Sequence, residues 1–228
     1  MFDNAFFENF DEVIDGFTVT IQLFVGAGVI ALVLGTVLAS FRVSPVPVMR
    51  AVGTSYVNIF RNTPLVVILV LSSFLVPTLG FNNLDANFGI ARMSHFEVLA
   101  MLGLALYTAA FICEAVRSGI NSVSAGQAEA ARSVGMGFGQ SLRHVVLPQA
   151  LRAVIPPMTS VLIALIKNTS VAAVVGVAEA SYTMYRLANK FTSDLYAIFF
   201  GIAAGYVLIV LVVSITSAFL ERKLAVAR

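Results

Sequence analysis

The chain has 228 residues, 59% hydrophobic and only 11% charged, with a mean hydropathy of +0.93. Soluble domains run at roughly 45–50% apolar and about 25% charged, so this composition is that of an integral membrane protein. A formal net charge of +2, with no long basic run, excludes nucleic acid as a partner.

The first 17 residues carry five acidic side chains and no basic one, the reverse of a signal-peptide n-region, so they are expected to stay in the mature protein. A bilayer core of about 30 Å asks for roughly 20 apolar residues per helix. Five spans are expected, at about residues 17–41, 52–79, 96–117, 151–168 and 194–221. Phe17 to Phe41 and Leu195 to Leu220 contain no charged residue at all. The second span is irregular, its start falling anywhere between Ala51 and Pro64. The fourth is short unless the polar residues Lys167 to Ser170 also lie inside the membrane. Cys113, the single cysteine, falls in the apolar third span, where it reads as a small buried hydrophobe.

Lysine and arginine accumulate in cytoplasmic loops, which sets the expected orientation. With the N-terminus outside, ten basic residues fall on the cytoplasmic side: Arg42, Arg50, Arg61, Arg117, Arg132, Arg143, Arg152, Arg222, Lys223 and Arg228. Only Arg92, Arg186 and Lys190 fall outside, with Lys167 at membrane depth, and the C-terminus is cytoplasmic. An odd number of spans also argues against an internal inverted repeat, so a second subunit is the expected way to complete a pathway.

This topology makes residues 118–150 one long cytoplasmic segment, the largest polar stretch in the chain. Ala125 to Val134 reads as a short alanine-rich helix, with Ser124 as N-cap and Gln127 as its capping-box partner. Gly135, Gly137 and Gly139 are expected to stop that helix and permit a sharp turn. Val145, Val146, Leu147 and Pro148 lead back to the membrane.

Charges at bilayer depth are costly and each needs a reason. If the second span starts near Ala51, Arg61 sits about 15 Å up the helix, close to the midplane and beside a break at Pro64. If the span starts at Asn62, Arg61 snorkels to the cytoplasmic interface. Lys167 either snorkels to the outer interface or belongs with Asn168, Thr169 and Ser170 to a polar pathway lining, the second being favoured. Glu114 reads as an i,i+3 ion pair with Arg117 near the inner surface. His95 and His144 stand alone, without metal-ligand spacing, so no metal site is expected. Glu179, Tyr182 and Tyr185 fall in the external segment between spans four and five, where they either meet a partner or pack an external helix.

The stretch from Glu129 to Pro148 carries a recognisable pattern: Glu129-Ala130-Ala131, three residues, Gly135, nine residues, Val145, one residue, Leu147-Pro148. It resembles the signature of permease subunits of ATP-binding-cassette importers, with Val145 in place of the usual isoleucine. Arg61-Asn62-Thr63-Pro64-Leu65, Tyr107 through Arg117-Ser118-Gly119-Ile120, Gln127 and Ala164 through Ser170 are similar to the polar amino acid branch, which handles glutamate, glutamine, histidine, arginine and opines. Within that branch the overall likeness is greatest to a permease subunit of the actinobacterial glutamate uptake transporter.

The resemblance implies an all-α integral membrane protein of the type I importer permease fold, with five spans and one permease domain. The short helix around Glu129 becomes a coupling helix seated on an ATPase. Glu129, Ala130, Ala131, Gly135, Val145, Leu147 and Pro148 are then the coupling residues. Arg61, Asn62, Thr63, Lys167, Asn168, Thr169 and Ser170 are pathway candidates, with Arg61 placed to attract an anionic amino acid. The implied partners are a dimer of ATPase subunits, a second homologous permease in a heterodimer or a homodimer, an extracytoplasmic solute-binding protein, and lipid of a bacterial plasma membrane. No cofactor is implied for this chain. ATP and Mg are used by the ATPase, and no G-x-x-x-x-G-K-[ST] loop exists here, since none of the three lysines follows a glycine. The substrate is expected to be L-glutamate, with glutamine, aspartate, arginine or histidine as alternatives. A secondary transporter driven by ions would need carboxylates well inside its spans, and spans one and five have none. A purely structural membrane protein would leave the glycine-marked loop without a purpose.

Overall fold

Inside a hydrocarbon layer every backbone N–H and C=O must find its partner within the protein, and long apolar runs satisfy this by folding as helices. The structure, a computed structural model, describes residues 5–81, 84–87 and 92–224. In chain order come α1 (Ala5–Glu8), α2 (Phe10–Val43), α3 (Pro47–Asn62) and α4 (Leu65–Thr78). Two short antiparallel strands follow, β1 (Ala86–Asn87) and β2 (Arg92–Met93), with Ala86 opposite Met93. Then come α5 (His95–Asn121), α6 (Ala125–Ser133), α7 (Phe138–Ser141), a π turn over Leu142–Val146, and α8 (Leu147–Asn168). A 3-10 segment over Thr169–Val175, α9 (Ala180–Lys190) and α10 (Leu195–Leu224) complete the described chain.

Among the described residues, four helical stretches are long and apolar enough to cross a bilayer: 10–43, 95–121, 139–175 and 192–223. The bent pair α3 and α4 adds a fifth if it is counted as one crossing. Helix α2 begins seven residues earlier than the expected span at 17. Asp11 and Glu12 lie in its first turn, where carboxylates favour the positive end of the helix dipole.

The irregularity expected in the second span is a full break. Thr63 precedes Pro64, and the proline ring pushes the preceding residue out of the α region; Thr63 has φ −97 and ψ 129. The two helices flanking the break are bent by 103°. Helix α4 restarts at once, because the Pro64 carbonyl accepts from Val67 N and Ile68 N at 3.0 and 3.3 Å.

Helix α5 is the hub, packed along α2 and against α3, α4 and α8. Close approach of α2 and α5 depends on Gly35, where a Cβ would stand 2.6 Å from Ile112 Cγ2 and 2.8 Å from the Ala109 carbonyl oxygen. Cys113 is fully buried among Ala109, Ala110, Ile112 and residues of α2 and α3, as expected of a small hydrophobe. A separate cluster joins α1 and the start of α2 to α9 and α10 through Ala5, Val13, Ala180, Leu187, Ile198 and Ile202. The other face of α10 leaves Val207, Leu208, Leu211, Val212, Ile215 and Phe219 uncovered, an apolar surface of the kind that belongs against lipid or another membrane helix.

Candidate functional site

Three features bring chemistry together, and the first stands at the break before Pro64. The last turn of α3 delivers Arg61 to the carboxylate of Glu114, with Arg61 Nη1 3.5 Å from Glu114 Oε1. The expected Glu114 to Arg117 pair is present at 3.6 Å, but the tightest partner is Arg42, at the end of α2, which donates to the same Oε1. One carboxylate therefore faces three guanidiniums, from α2, α3 and α5. Arg42 is nearly buried, with a side-chain exposure of 10%, whereas Arg61 is half-exposed at 47%. Neither sequence reading of Arg61 anticipated this shared partner. Tyr56 fastens α3 in place by donating from its hydroxyl to the Leu106 carbonyl at 2.8 Å.

The second feature is a cleft of about 360 Å³ between α5 and α8, lined by Tyr107, Thr108, Phe111, Ser160, Ala164 and Asn168 among others. Its walls follow from helical spacing, because residues four apart share a face: Tyr107 with Phe111 on α5, and Ser160, Ala164 and Asn168 on α8. Thr108 is 2% exposed, yet its Oγ1 has no hydrogen-bond partner among the described residues. A buried hydroxyl in that state is costly unless something enters the cleft to meet it. Arg61 closes the link between the two features, its guanidinium carbon 5.8 Å from the centroid of Phe111, a ring that lines the cleft.

Of the pathway candidates at the end of α8, only Asn168 lines the cleft. Thr169 is buried and its hydroxyl donates to the Ile166 carbonyl, while the Ser170 hydroxyl donates to the Lys167 carbonyl. Lys167 is exposed and is not among the lining residues, and Thr63 donates to the Ile59 carbonyl beside the exposed Asn62. Tyr107, Thr108, Phe111 and Ser160 were not singled out as site residues from the sequence. The spacing of Ser160, Ala164 and Asn168, a small or polar residue every fourth position in an apolar helix, is the signal that marks them.

The third feature is the polar segment. Helix α6 covers Ala125–Ser133 as expected and Ser124 is its N-cap, but no side-chain capping bond forms, so the capping box with Gln127 is absent. Gly135 supplies the turn with φ +89, whereas Gly139 lies inside α7 and needs no special backbone. Glu129 and Ala130 are exposed; Ala131 is 6% exposed and turns inward, its carbonyl accepting from Met136 N at 3.1 Å. Of the two alanines, Ala131 is buried against the loop and Ala130 faces outward. Val145 lies within the π turn, Leu147 is exposed, and Pro148 sits in the first turn of α8.

In the segment between α8 and α10, Glu179 is fully buried and caps α9, accepting from Ser181 N, Tyr182 N and the Tyr206 hydroxyl at 2.9, 2.8 and 2.7 Å. Burial pushes its carboxyl pKa up, against the pull of these donors. Helix packing, not an exposed contact, is its role, while Tyr185 remains exposed. His95 is likewise structural, its Nδ1 accepting from Leu84 N at 3.1 Å.

With this geometry in hand, comparisons with known proteins agree on the kind of molecule it is. The glutamate transport system permease protein of Corynebacterium efficiens is 42% identical over 213 residues, covering 93% of each chain. The glutamate/aspartate import permease protein GltJ of Escherichia coli is 35% identical over 216 residues, covering 91% of this chain and 85% of that one. Among solved structures, an amino acid ABC transporter crystallised with histidines matches at a TM-score of 0.83 and 27% identity, over 96% of this chain and 97% of that one. Residues 31–226 match the family described as binding-protein-dependent transport system inner membrane component. The chain belongs to that family, as a multi-pass permease component of the membrane.

Proposed function

We propose that this chain is a membrane-spanning subunit of an ATP-driven importer of polar amino acids, with L-glutamate as its substrate. It would work beside a second permease, two ATPase subunits and a solute-binding protein. The observation that carries the substrate reading is the cleft between α5 and α8, hydroxyl-lined at Thr108 and Ser160, amide-lined at Asn168, and met at Phe111 by the Arg61 guanidinium. Hydroxyl and amide groups suit the α-amino and α-carboxylate ends common to all amino acids, and a guanidinium suits a second carboxylate. The names of the relatives point to the same substrate class.

The coupling step follows from continuity of the backbone. The exposed face of α6, with Glu129 and Ala130, offers a short docking element for an ATPase, and Gly135 sets its angle to the rest of the loop. The π turn runs straight into α8, the helix that carries Ser160, Ala164 and Asn168, so a push on the loop moves one wall of the cleft. Pro156 and Pro157 interrupt the hydrogen-bond ladder of α8 below that wall and make it the place where the helix can bend. ATP and Mg are handled by the partner, because this chain has no phosphate-binding loop. The N-terminus lies outside and the C-terminus in the cytoplasm, a reading supported by the distribution of basic residues.

Arg61→Ala, in the complex reconstituted with its ATPase and solute-binding protein, tests the substrate reading. Glutamate uptake should fall while glutamine uptake, where measurable, changes little. Equal loss for both, or none, would remove Arg61 from the pathway.

A further inference from the structure

Arg42, Arg61 and Arg117 place three positive charges around the single negative charge of Glu114. The three contacts are unequal. Arg42 is nearly buried and hydrogen-bonded to Oε1, a pairing that burial makes permanent, since an unpaired guanidinium there would be expensive. Arg61 reaches the same oxygen only at 3.5 Å, beyond the usual length of a charge-assisted hydrogen bond, with half of its side chain open. Its other neighbour is the Phe111 ring at the cleft. Arg61 is therefore loosely held by a carboxylate on one side and lies against a ring that lines the cleft on the other, and a second carboxylate arriving along the cleft offers it a bidentate partner that Glu114 does not.

We propose that Glu114 is an internal competitor for Arg61: it stands where the side-chain carboxylate of an acidic substrate would bind, yields the guanidinium as that carboxylate arrives, and takes it back as the substrate leaves. Glu114 then sets how strongly the cleft prefers acidic over neutral amino acids without touching the substrate itself. It keeps the Arg61 site from holding glutamate too tightly to release. This rests on the cleft being the substrate pathway, and it makes Glu114 a positioning residue acting through Arg61.

The test is equilibrium binding of labelled L-glutamate and L-glutamine to the assembled complex in nanodiscs, without solute-binding protein. Glu114→Gln should tighten glutamate binding by roughly two- to fivefold, the scale of a half-exposed ion pair, and leave glutamine unchanged. The gain should vanish when Arg61→Gln is added. Because Glu114→Gln strips the buried Arg42 of its charge partner, the paired variant Arg42→Gln/Glu114→Gln is measured alongside, with the same selective gain expected. Unchanged glutamate binding in both Glu114 variants, or parallel changes for the two amino acids, overturns the competitor role. If Arg61→Gln alone leaves glutamate binding intact, the pathway reading itself fails, which is a separate outcome.

Discussion

Gly135 offers the cleanest perturbation of the coupling loop, because its side-chain position is empty. Among the described residues, no atom beyond its chain neighbours lies within 4 Å of where a Cβ would stand, and the backbone there has φ +89. Gly135→Ala therefore meets no clash; its whole cost is that of forcing an alanine into the left-handed region, about 1–2 kcal/mol. That lowers the population of the native turn relative to its alternatives by roughly five- to thirtyfold. Asparagine tolerates the region better, so Gly135→Asn should lie between alanine and the wild type. Gly139→Ala is the control, since that glycine is helical and equally uncrowded. The assay is titration of the purified ATPase onto membranes containing each variant, together with ATP hydrolysed per amino acid imported. The expected order of binding is wild type and Gly139→Ala, then Gly135→Asn, then Gly135→Ala, with all four proteins inserted normally. Wild-type docking and coupling in Gly135→Ala would refute the assignment of this turn to the coupling step. An asparagine variant as poor as alanine would show that the backbone conformation is not what matters.

Two further outcomes follow from buried polar groups. Thr108→Val removes an unpartnered hydroxyl at nearly constant shape, so it should leave stability unchanged or raise it by about 1 kcal/mol while lowering glutamate uptake; a matched loss of stability and transport would assign Thr108 to packing alone. Glu179→Ala deletes the cap of α9 and the acceptor of the Tyr206 hydroxyl, and should cost about 2–5 kcal/mol, read as a lowered unfolding midpoint in detergent. The folded state raises the Glu179 pKa and so favours its protonated form. Its contribution to stability is present at low pH and is lost as pH rises from the ordinary carboxylate range through the raised value. Glu179→Gln should flatten that dependence.

What could be read in advance was what local chemistry dictates. Pro64 announces an interruption, and Gly135, among three candidate glycines, sits where a helix must stop. The 103° bend at Pro64 was beyond sequence reading, because a proline fixes its own φ and its neighbour's region but not the packing that sets an angle. The π turn over Leu142–Val146 differs from an α turn by a shift of one hydrogen-bond partner and carries no signature in composition. Ser124 fits the cap position without making the cap bond, since spacing alone does not orient a hydroxyl. Glu114 was read correctly with Arg117, three residues away on its own helix. Its partners Arg42 and Arg61 lie far off in sequence and come to it only once α2 and α3 pack on α5. One of the donors to the buried Glu179 has the same origin, since Tyr206 comes from α10, far off in sequence.

The most direct measurement is uptake of labelled L-glutamate into proteoliposomes supplied with ATP and no ion gradient. The permease pair and solute-binding protein are present throughout, and the ATPase is added or omitted. The expected result is accumulation that appears only with the ATPase and ATP together. Accumulation driven by an imposed proton or sodium gradient, with no ATPase present, would contradict the assignment of this chain to an ATP-driven importer.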